Sequence, residues 1–338
     1  MTDIKALDKE YIAHTYNRFP IEITSGKGAV LTSADGKEYI DMGSGIGVSA
    51  FGHGDELWEN AVCEQLSKIS HASNLYYTAP CALLSQMLNQ KTDGMARKVF
   101  FANSGAEANE CAIKAARKYA SDKGKKDCFT IVTLQNGFHG RTLTTLAATG
   151  QEHYHELYTP LTPGFAYASA NDIEDVKKTA LQNNACAVMI ECIQGEGGVI
   201  ALEKDFVKAL RAFTAEHDML LIVDEVQTGN GRTGSLYAYM QYDILPDIVT
   251  TAKGLAGGLP LGACLLGEKV ENVFGFGDHG STFGGNPVCC AAALSILSRI
   301  DEALLSDVKR KGEKVRQYLD GAKGIESVSG MGLMIGVK

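Results

Sequence analysis

Three ionisable side chains come at the ends of apolar, β-branched runs and could do chemistry together: Asp224, Glu191 and Lys253. Ligands of open parallel sheets gather outside the carboxyl ends of the strands, so these groups should meet at one sheet edge. One interpretation is a buried ion pair. The other is a lysine that forms a Schiff base beside a carboxylate that pairs with the pyridinium nitrogen of a cofactor. The three residues alone leave both interpretations open.

Two nucleotide-binding interpretations can be weighed against the same residues. A nucleotidase would use a strand-end acid such as Asp224 to bind magnesium, but the chain contains no G-x-x-x-x-G-K-[ST] phosphate loop, which excludes it. Two G-x-G-x-x-G sequences occur, at 229–234 and 275–280, yet neither opens a convincing helix beneath the sheet. A nicotinamide-dependent dehydrogenase is therefore the weakest alternative. His139 lacks the neighbours of a hydrolase or zinc-protease motif, which favours a structural or stacking role.

Residues 98–108 combine a strand, a turn of small residues and the start of an alanine-rich helix. In such an arrangement the free amides of the first helical turn and the helix dipole favour a bound phosphate, and Gly105 lets the backbone approach it closely. Taken alone, the motif is more simply explained by an ordinary helix capped by Ser104 or Asn103.

Composition limits the class of protein. The chain is 45% apolar and 21% charged, and its 338 residues, at about 150 residues per domain, suggest roughly two domains. Its net charge of -8 excludes a whole-chain basic footprint for nucleic acid. No signal-peptide core is seen at the N-terminus, and no apolar stretch reaches the about 20 residues that cross a bilayer. Nine cysteines without a C-x-x-C pair fit free thiols in a reducing compartment, so we expect a cytoplasmic protein.

Short β-branched runs alternate with amphipathic helical stretches after residue 98, which is typical of a mainly parallel sheet covered by helices. The predicted class is α/β. The predicted strands share uncharged interiors and lie at 98–102, 129–134, 187–192, 220–226, 247–251 and 262–266.

The two ends of the chain are expected to form a smaller α+β lobe. A hairpin is predicted at 28–41 with its turn at Asp35–Gly36, and one long helix is predicted from Pro287 to about Leu319. Residues 332–337 resemble a strand that has no partner after it. The predicted domains are residues 1–50 and 286–338 for the small lobe and 51–285 for the large one.

Read in order, six motifs resemble the class III pyridoxal-phosphate-dependent aminotransferases over essentially the whole chain from about Tyr16 to Gly336. They are N-S-G-A-E-A-N at 103–109, F-H-G-R-T at 138–142, Q-G-E-G-G at 194–198, D-E-V-Q-T-G at 224–229, A-K-G at 252–254 and H-G-S-T-F-G-G-N-P at 279–287.

The resemblance implies a fold-type I transferase that binds pyridoxal 5'-phosphate, needs no metal and forms a homodimer with active sites at the subunit interface. Lys253 would form the Schiff base and move the proton, and Asp224 would keep the ring nitrogen protonated. The other residues implied to bind the cofactor are Ser104, Gly105, Ala106, Phe138, His139, Glu191, Glu225, Val226, Gln227 and, from the other subunit, Thr282.

By the same resemblance Arg141 would bind the α-carboxylate of the amino donor, Ser281 would assist, and Glu196 would act as a movable counter-charge. The implied reaction moves the terminal amino group of N-acetylornithine to 2-oxoglutarate in arginine biosynthesis. Apolar Ile46, where ornithine-specific members have tyrosine, favours an acylated donor. Ornithine, succinyl-ornithine, succinyl-diaminopimelate and 4-aminobutyrate remain alternatives, as does a cofactor-binding member with impaired turnover.

This sequence also departs from the family pattern. Family members usually bind 2-oxoglutarate through an arginine in a C-terminal segment that follows the strand-like residues 332–337. The sequence ends at Lys338, so the resemblance does not say how this acceptor is held. Cys192, Gly54–Asp55 and Ser329 replace residues common in the family, and none of them lies in a cofactor motif.

Overall fold

Strands and helices alternate along residues 3–338, which are the part of the chain described by the computed structural model. The strands are β1 (Ile23–Lys27), β2 (Val30–Ser33), β3 (Glu38–Ile40), β4 (Lys98–Ala102), β5 (Thr130–Leu134), β6 (Phe165–Ala168), β7 (Ala185–Ile190), β8 (Ile193–Gln194), β9 (Ile200–Ala201), β10 (Leu220–Asp224), β11 (Ile248–Thr251), β12 (Gly262–Leu266), β13 (Val328–Met331) and β14 (Met334–Val337). The helices are α1 (Ile4–Tyr11), α2 (Ser44–Gly47, a single distorted turn), α3 (Glu56–Lys68), α4 (Ala79–Lys91), α5 (Gly105–Asp122), α6 (Leu143–Ala148), α7 (Ile173–Gln182), α8 (Lys204–Glu216), α9 (Pro287–Leu297) and α10 (Glu302–Leu319). Short 3-10 turns lie at Glu152–Tyr154, Ala238–Tyr242, Lys253–Ala256 and Glu268–Val270.

A seven-stranded sheet in the order β4-β12-β11-β10-β7-β5-β6 forms the centre of the molecule. Only β12 runs against its neighbours, and the other six strands are parallel to one another. All residues of β7, β10, β11 and β12 are buried, because helices cover both faces of the sheet. The predicted α/β class with a mainly parallel sheet is confirmed.

Most of the strand predictions agree with the sheet to within a few residues. The predicted strand at 187–192 is Ala185–Ile190, because the chain leaves the sheet at Glu191 and enters the short β8–β9 pair. The edge strand Phe165–Ala168 was not predicted. It is only four residues long and partly buried, so it lacks the fully apolar pattern of the central strands.

The single long helix predicted from Pro287 to Leu319 is wrong, since the structure has two helices there. The first ends at Leu297, and the second begins after Asp301, whose carboxylate accepts a hydrogen bond from the amide of Leu304 at 2.9 Å. This cap starts a new helix. The apolar pattern is continuous because both helices pack on the same core.

Residues 332–337 were expected to form a strand with no partner after it, and the partner lies before it. Residues Met334–Val337 pair in an antiparallel hairpin with Val328–Met331, a strand that the sequence pattern did not indicate. At the other end of the chain, the predicted turn at Asp35–Gly36 joins β2 and β3, and β1 adds a third antiparallel strand. The proposed domain division at residues 50 and 285 stays a prediction.

Helix α5 packs on the sheet through a face of small side chains. Ala108, Ala112, Ala115 and Ala116 are all fully buried there, and the helix contacts β4, β10, β11 and β12. Small side chains let the helix axis approach the strands closely. The first turn of α5 therefore lies at the carboxyl edge of the parallel strands.

No helix within residues 3–338 combines the length and the apolar character needed to cross a membrane.

Gly262 in β12 sets how closely the strand approaches the turn before α5. A Cβ at this position would lie 2.8 Å from the carbonyl carbon of Ser104, which is backbone and cannot rotate away. We expect Gly262→Ala to lower the free energy of unfolding by about 1–3 kcal/mol, as overpacking does, measured by urea denaturation. Gly280→Ala is the matched control, because a Cβ there meets nothing within 4 Å, and equal stability losses in both variants would contradict this account.

Candidate active site

A cavity of about 500 Å³ opens at the carboxyl edge of the parallel strands. The loops that follow β4, β5, β7, β10 and β11 all contribute to its wall, as the topology of the sheet requires. Its lining residues are Val48, Asn103, Ser104, Gly105, Ala106, Asn109, Phe138, His139, Gly140, Arg141, Glu191, Asp224, Val226, Gln227, Ala252, Lys253, Gly258, Leu259, Pro260 and Leu261.

Asp224 is a charged group of the cavity that is only 3% exposed. Its Oδ2 accepts hydrogen bonds from Nδ2 of Asn109 at 2.8 Å and from Nδ1 of His139 at 2.9 Å. Its Oδ1 accepts one from the amide of Val226 at 3.0 Å. Since an ionised carboxylate only accepts, the His139 ring must carry its proton on Nδ1. Three donors therefore fix the orientation of this carboxylate.

A second layer of hydrogen bonds holds those donors. The Asn109 side chain also donates to the carbonyl of His139 at 2.7 Å, and the hydroxyl of Thr250 donates to Oδ1 of Asn109 at 2.6 Å. Burial would lower the pKa of the His139 imidazole, but the hydrogen bond and charge of Asp224 and the charge of Glu191 outweigh burial and raise it. His139 is thus a partner of Asp224, more specific than the structural or stacking role expected from sequence.

Lys253 follows β11 and faces the same cavity from a left-handed backbone conformation, with φ of +44°. Such a conformation is unfavourable for a residue with a side chain, and it is often found at functional sites. Burial lowers the pKa of the Lys253 ammonium, and the charges of Asp224, Glu196 and Glu191 oppose this shift without cancelling it. A larger share of neutral amine is therefore available than for an exposed lysine.

Glu191 positions an aromatic residue of the cavity. Its Oε1 accepts a hydrogen bond from the amide of Phe138 at 2.8 Å, and its Oε2 accepts one from the amide of Gly195 at 3.3 Å. Burial raises the pKa of Glu191 to about 7, although the His139 charge and the two amides favour the ionised form.

The first turn of α5 is both capped and open to the cavity. The Ser104 hydroxyl accepts a hydrogen bond from the amide of Glu107 at 3.2 Å, as the capped-helix interpretation predicts. Within residues 3–338 the amides of Gly105 and Ala106 donate to no protein acceptor, and both residues line the cavity. A Cβ on Gly105 would lie 2.6 Å from a methyl carbon of Val226, so glycine at this position lets the Val226 side chain pack directly against the turn. The two interpretations of the motif are compatible.

Arg141 lies at the exposed end of the cavity. Its guanidinium carbon stands 5.9 Å from the ring centre of Phe138 and 5.2 Å from that of Tyr154. Contacts of this kind hold a guanidinium over aromatic faces while its N–H groups stay free for a ligand. Tyr154 was not singled out in the sequence.

Glu225 does not line the cavity, although its neighbour Asp224 does. It is fully buried on the other side of the chain, where it accepts hydrogen bonds from the amide of Tyr239 at 2.7 Å and the hydroxyl of Thr228 at 2.5 Å. Successive residues of a strand point to opposite sides, which separates the two acids. Glu225 thereby ties down the loop that begins with Val226.

Three further predicted residues lie outside the cavity wall of this chain. The Ser281 hydroxyl accepts hydrogen bonds from Nδ2 of Asn103 at 3.3 Å and from the amide of Gly284 at 2.9 Å, so it is near the cavity. Thr282 is exposed. Glu196 is exposed too, but its charge acts on Lys253. Ile46 is 71% exposed, and its neighbour Val48 lines the cavity instead.

Asn109 is the main site residue that sequence reasoning missed. It is 1% exposed and lies on the buried alanine face of α5. A lone amide on an otherwise apolar helix face is a signal that could have identified it, because buried polar groups need partners.

Neither glycine-rich sequence, at 229–234 or at 275–280, lines the cavity. Among the described residues, no cluster of three or more potential ligands could hold a metal ion.

Comparisons with known proteins agree with one another. The model of the aminotransferase class-III family matches residues 11–338. The chain is 51% identical over 335 residues to the acetylornithine aminotransferase of Haemophilus ducreyi, covering 99% of this chain and 85% of that one. It is 45% identical to the enzyme of the same name from Caldanaerobacter subterraneus, with 97% and 84% covered.

Two solved structures show the same fold. One is the N-acetylornithine aminotransferase of Stenotrophomonas maltophilia, with 36% identity, a TM-score of 0.83 and coverage of 98% of this chain and 82% of that one. The other is the ornithine aminotransferase of Toxoplasma gondii with partially occupied PLP, with 31% identity, a TM-score of 0.94 and coverage of 99% and 80%.

Glu225 should make stability depend on pH. Burial raises its pKa to about 7, against the hydrogen bonds from Thr228, Ala238 and Tyr239 that favour the ionised form. The folded state therefore keeps a proton that the unfolded state releases near pH 4.5, so folding stability falls as pH rises from about 4.5 to 7. Over that pH range the free energy of unfolding of Glu225→Gln should rise relative to that of the wild type by on the order of 2–3 kcal/mol.

Urea denaturation of the two proteins at several pH values measures this difference. Glutamine has the same shape, its Oε1 can accept from the amide of Tyr239, and its NH₂ group can donate to the hydroxyl oxygen of Thr228. The two stabilities should therefore be similar at pH 4.5. Parallel stability curves for the two proteins would contradict the assignment of a raised pKa to Glu225.

Proposed function

This chain belongs to the class-III aminotransferases, and from that membership we propose that it moves the terminal amino group of N-acetylornithine to 2-oxoglutarate. The products would be N-acetylglutamate semialdehyde and glutamate. The observation that carries this proposal is the meeting of Lys253, Asp224 and Arg141 in one cavity. A lysine with lowered pKa, a fixed carboxylate and a free guanidinium provide an attachment point, a counter-charge and a carboxylate-binding group.

Class-III aminotransferases depend on pyridoxal 5'-phosphate, and the cavity has a suitable group for each part of that molecule. We propose that the free amides of Gly105 and Ala106 bind the phosphate and that Asp224 pairs with the ring nitrogen. Phe138 and Val226 would contact the two faces of the ring, with Gln227 near its phenolic oxygen. Among residues 3–338 these two amides donate to no protein acceptor, which supports this fit. When bound, the cofactor supplies an electrophilic carbon and a ring that delocalises negative charge.

The residues of the chain then perform the proton transfer and the binding steps. Lys253 would hold the cofactor and, once released, its Nζ would accept a proton from the substrate carbon that bears the transferred amino group. Its lowered pKa makes the neutral amine available for that step. Asp224, fixed by Asn109 and His139, would keep the opposing positive charge on the ring nitrogen.

Arg141 would bind the α-carboxylate of the donor through two parallel N–H groups, a geometry that lysine cannot reproduce. Ser281 would assist at the same end of the cavity. Glu196 would serve as a counter-charge that moves between the two half-reactions, which its exposed position supports.

The choice of N-acetylornithine among donors rests on two observations. Relatives that carry the name acetylornithine or N-acetylornithine aminotransferase are 36–51% identical to this chain, whereas the structurally similar ornithine aminotransferase of Toxoplasma gondii is 31% identical. The segment 44–48 places apolar Ile46 and Val48 near the cavity. Apolar side chains suit an acylated donor, whereas a hydroxyl in this segment would suit a donor with a free amine.

We also propose that the enzyme is a homodimer. An apolar patch, defined here as Leu75, Tyr76, Tyr77 and Phe283, is exposed on the surface, with Tyr76 72% and Phe283 59% exposed. Contiguous exposed aromatic surface of this kind usually marks an interface. Asn74, next to the patch, donates from Nδ2 to the carbonyls of Ser281 at 3.0 Å and Gly284 at 2.9 Å. Thr282 is exposed and is the chain neighbour of Phe283 in this patch, and we propose that it reaches the partner's cavity.

A cytoplasmic location is part of the same proposal. All nine cysteines are free thiols, and six of them are buried. Free thiols persist in a reducing compartment, whereas oxidising compartments favour disulfides.

The proposed donor can be tested on the purified holoenzyme without any keto acid. Added N-acetylornithine should bleach the visible absorption band of the cofactor held by Lys253, because the amino group stays on the cofactor. Ornithine and 4-aminobutyrate should bleach it at least about tenfold more slowly, because they lack the acetyl group that the pocket is proposed to recognise. The measurement is a stopped-flow absorbance trace for each donor.

Lys253→Ala is the control and should show no such change, while circular dichroism confirms that it is folded. If ornithine bleaches the band as fast as N-acetylornithine, the acylated donor is wrong and the aminotransferase assignment stands. If a folded wild-type chain binds no cofactor, the proposed function itself is contradicted.

The shared active site can be tested by mixing two inactive chains. Lys253→Ala lacks the lysine, and Thr282→Asp would put a carboxylate beside the partner's cofactor phosphate and weaken its binding. Each variant alone should be inactive. A heterodimer purified with two affinity tags should regain activity, because one of its two sites has both native residues. An inactive heterodimer of confirmed composition would contradict the shared site.

A further inference from the structure

Lys253 lies in the left-handed region of backbone conformation, with φ of +44°. A left-handed lysine is disfavoured by contact between its Cβ and its own backbone, so neighbouring groups must hold it in place. The groups that do so decide where the lysine side chain begins.

Asn230 contacts each residue next to Lys253. Its Nδ2 donates to the hydroxyl of Thr251 and to the carbonyl of Ala252, both at 3.1 Å. Its side chain also lies against Gly254, the residue after Lys253. Asn230 is 5% exposed, so water does not compete for these two hydrogen bonds.

The orientation of the Asn230 amide is fixed by chemistry. The carbonyl of Ala252 can only accept, so the NH₂ group must face it, and a flipped amide would bring two oxygens together. Within the described residues the amide oxygen Oδ1 is buried and has no hydrogen-bond partner. An unsatisfied buried oxygen destabilises the fold, and the two donated hydrogen bonds offset part of that cost.

The glycine-rich sequence at 229–234 presents this side chain, which gives that sequence a role other than dinucleotide binding. Asn230 has φ of +57°, a conformation that asparagine tolerates better than other residues with a side chain. Gly231 follows with φ of +87°, and the loop turns back so that the amide of Gly234 donates to the carbonyl of Gly231 at 3.0 Å. The tight loop directs the amide toward β11.

We propose that Asn230 is a positioning residue for Lys253, holding the lysine backbone in the left-handed conformation from which its Nζ reaches the cofactor. This inference rests on the proposed function, because it takes Lys253 as the residue that bonds the cofactor. It assigns Asn230 no contact with cofactor or substrate. The two donated hydrogen bonds are the means by which it acts.

Two forms of the cofactor separate this role from a general effect on folding. Pyridoxal 5'-phosphate must bond to Lys253, whereas pyridoxamine 5'-phosphate fills the same cavity without bonding to it.

In Asn230→Gly the left-handed backbone is kept and both hydrogen bonds are lost. We expect this variant's apoenzyme to capture pyridoxal 5'-phosphate about tenfold more slowly than the wild type, followed by the visible band. Its affinity for pyridoxamine 5'-phosphate, measured by fluorescence quenching, should stay within about twofold of the wild type.

Two further variants complete the test. Asn184→Gly is the matched control, since Asn184 is also left-handed, with φ of +47°, but lies exposed at the turn before β7. It should behave as the wild type with both cofactor forms. Asn230→Asp keeps the size of the side chain but replaces its donor with an acceptor, so it should slow capture at least as much as Asn230→Gly.

Several results would overturn the proposal. Wild-type capture rates in Asn230→Gly or Asn230→Asp would show that the hydrogen bonds do not act on Lys253. An equal loss with both cofactor forms would assign Asn230 a structural role only. No amino donor is used, so a wrong donor assignment leaves the result valid, whereas a wild-type chain that captures no cofactor would contradict the proposed function and this role together.

Discussion

The need to stabilise one buried carboxylate organises the site and much of the fold around it. Asp224 is almost completely removed from water, and an ionised carboxylate in such a place destabilises the folded state by several kcal/mol unless hydrogen bonds replace its hydration. Its donors come from α5, from the loop after β5 and from the chain just after β10. One charge therefore requires three elements to meet at the carboxyl edge of the sheet.

Helix α5 serves this requirement in two ways. Its alanine face brings it close enough to the strands for Asn109 to reach Asp224, and the same approach brings its first turn, with the free amides of Gly105 and Ala106, to the cavity. A larger side chain on the buried face would move both groups together. Anion binding and support of the carboxylate are thus coupled through the packing of a single helix.

The sequence predicted the parts that depend on local pattern. It was possible to predict that Asp224, Glu191 and Lys253 lie at one edge of the sheet from the strand ends, the small-residue turn before α5 and the order of motifs. Parallel strands fix that geometry. The break before Asp301 was missed, since the apolar pattern continues across it and only a capping contact reveals it. Glu225 was expected to bind the cofactor together with Asp224, but adjacent residues of a strand point to opposite sides, and Glu225 does not line the cavity. Asn109 and Asn230 were missed because their partners are distant in sequence, and only the fold brings them together.

The central claim is that Asp224 acts on the ring nitrogen of the bound cofactor. The most direct test compares the affinity of the apoenzyme for pyridoxal 5'-phosphate with its affinity for the analogue in which a carbon replaces that nitrogen. Equilibrium binding should favour pyridoxal 5'-phosphate by at least about tenfold, as expected for a hydrogen bond to a charged group, and Asp224→Ala should abolish this preference. Equal affinities of the wild type for the two compounds, or a preference that persists without the carboxylate, would contradict the account.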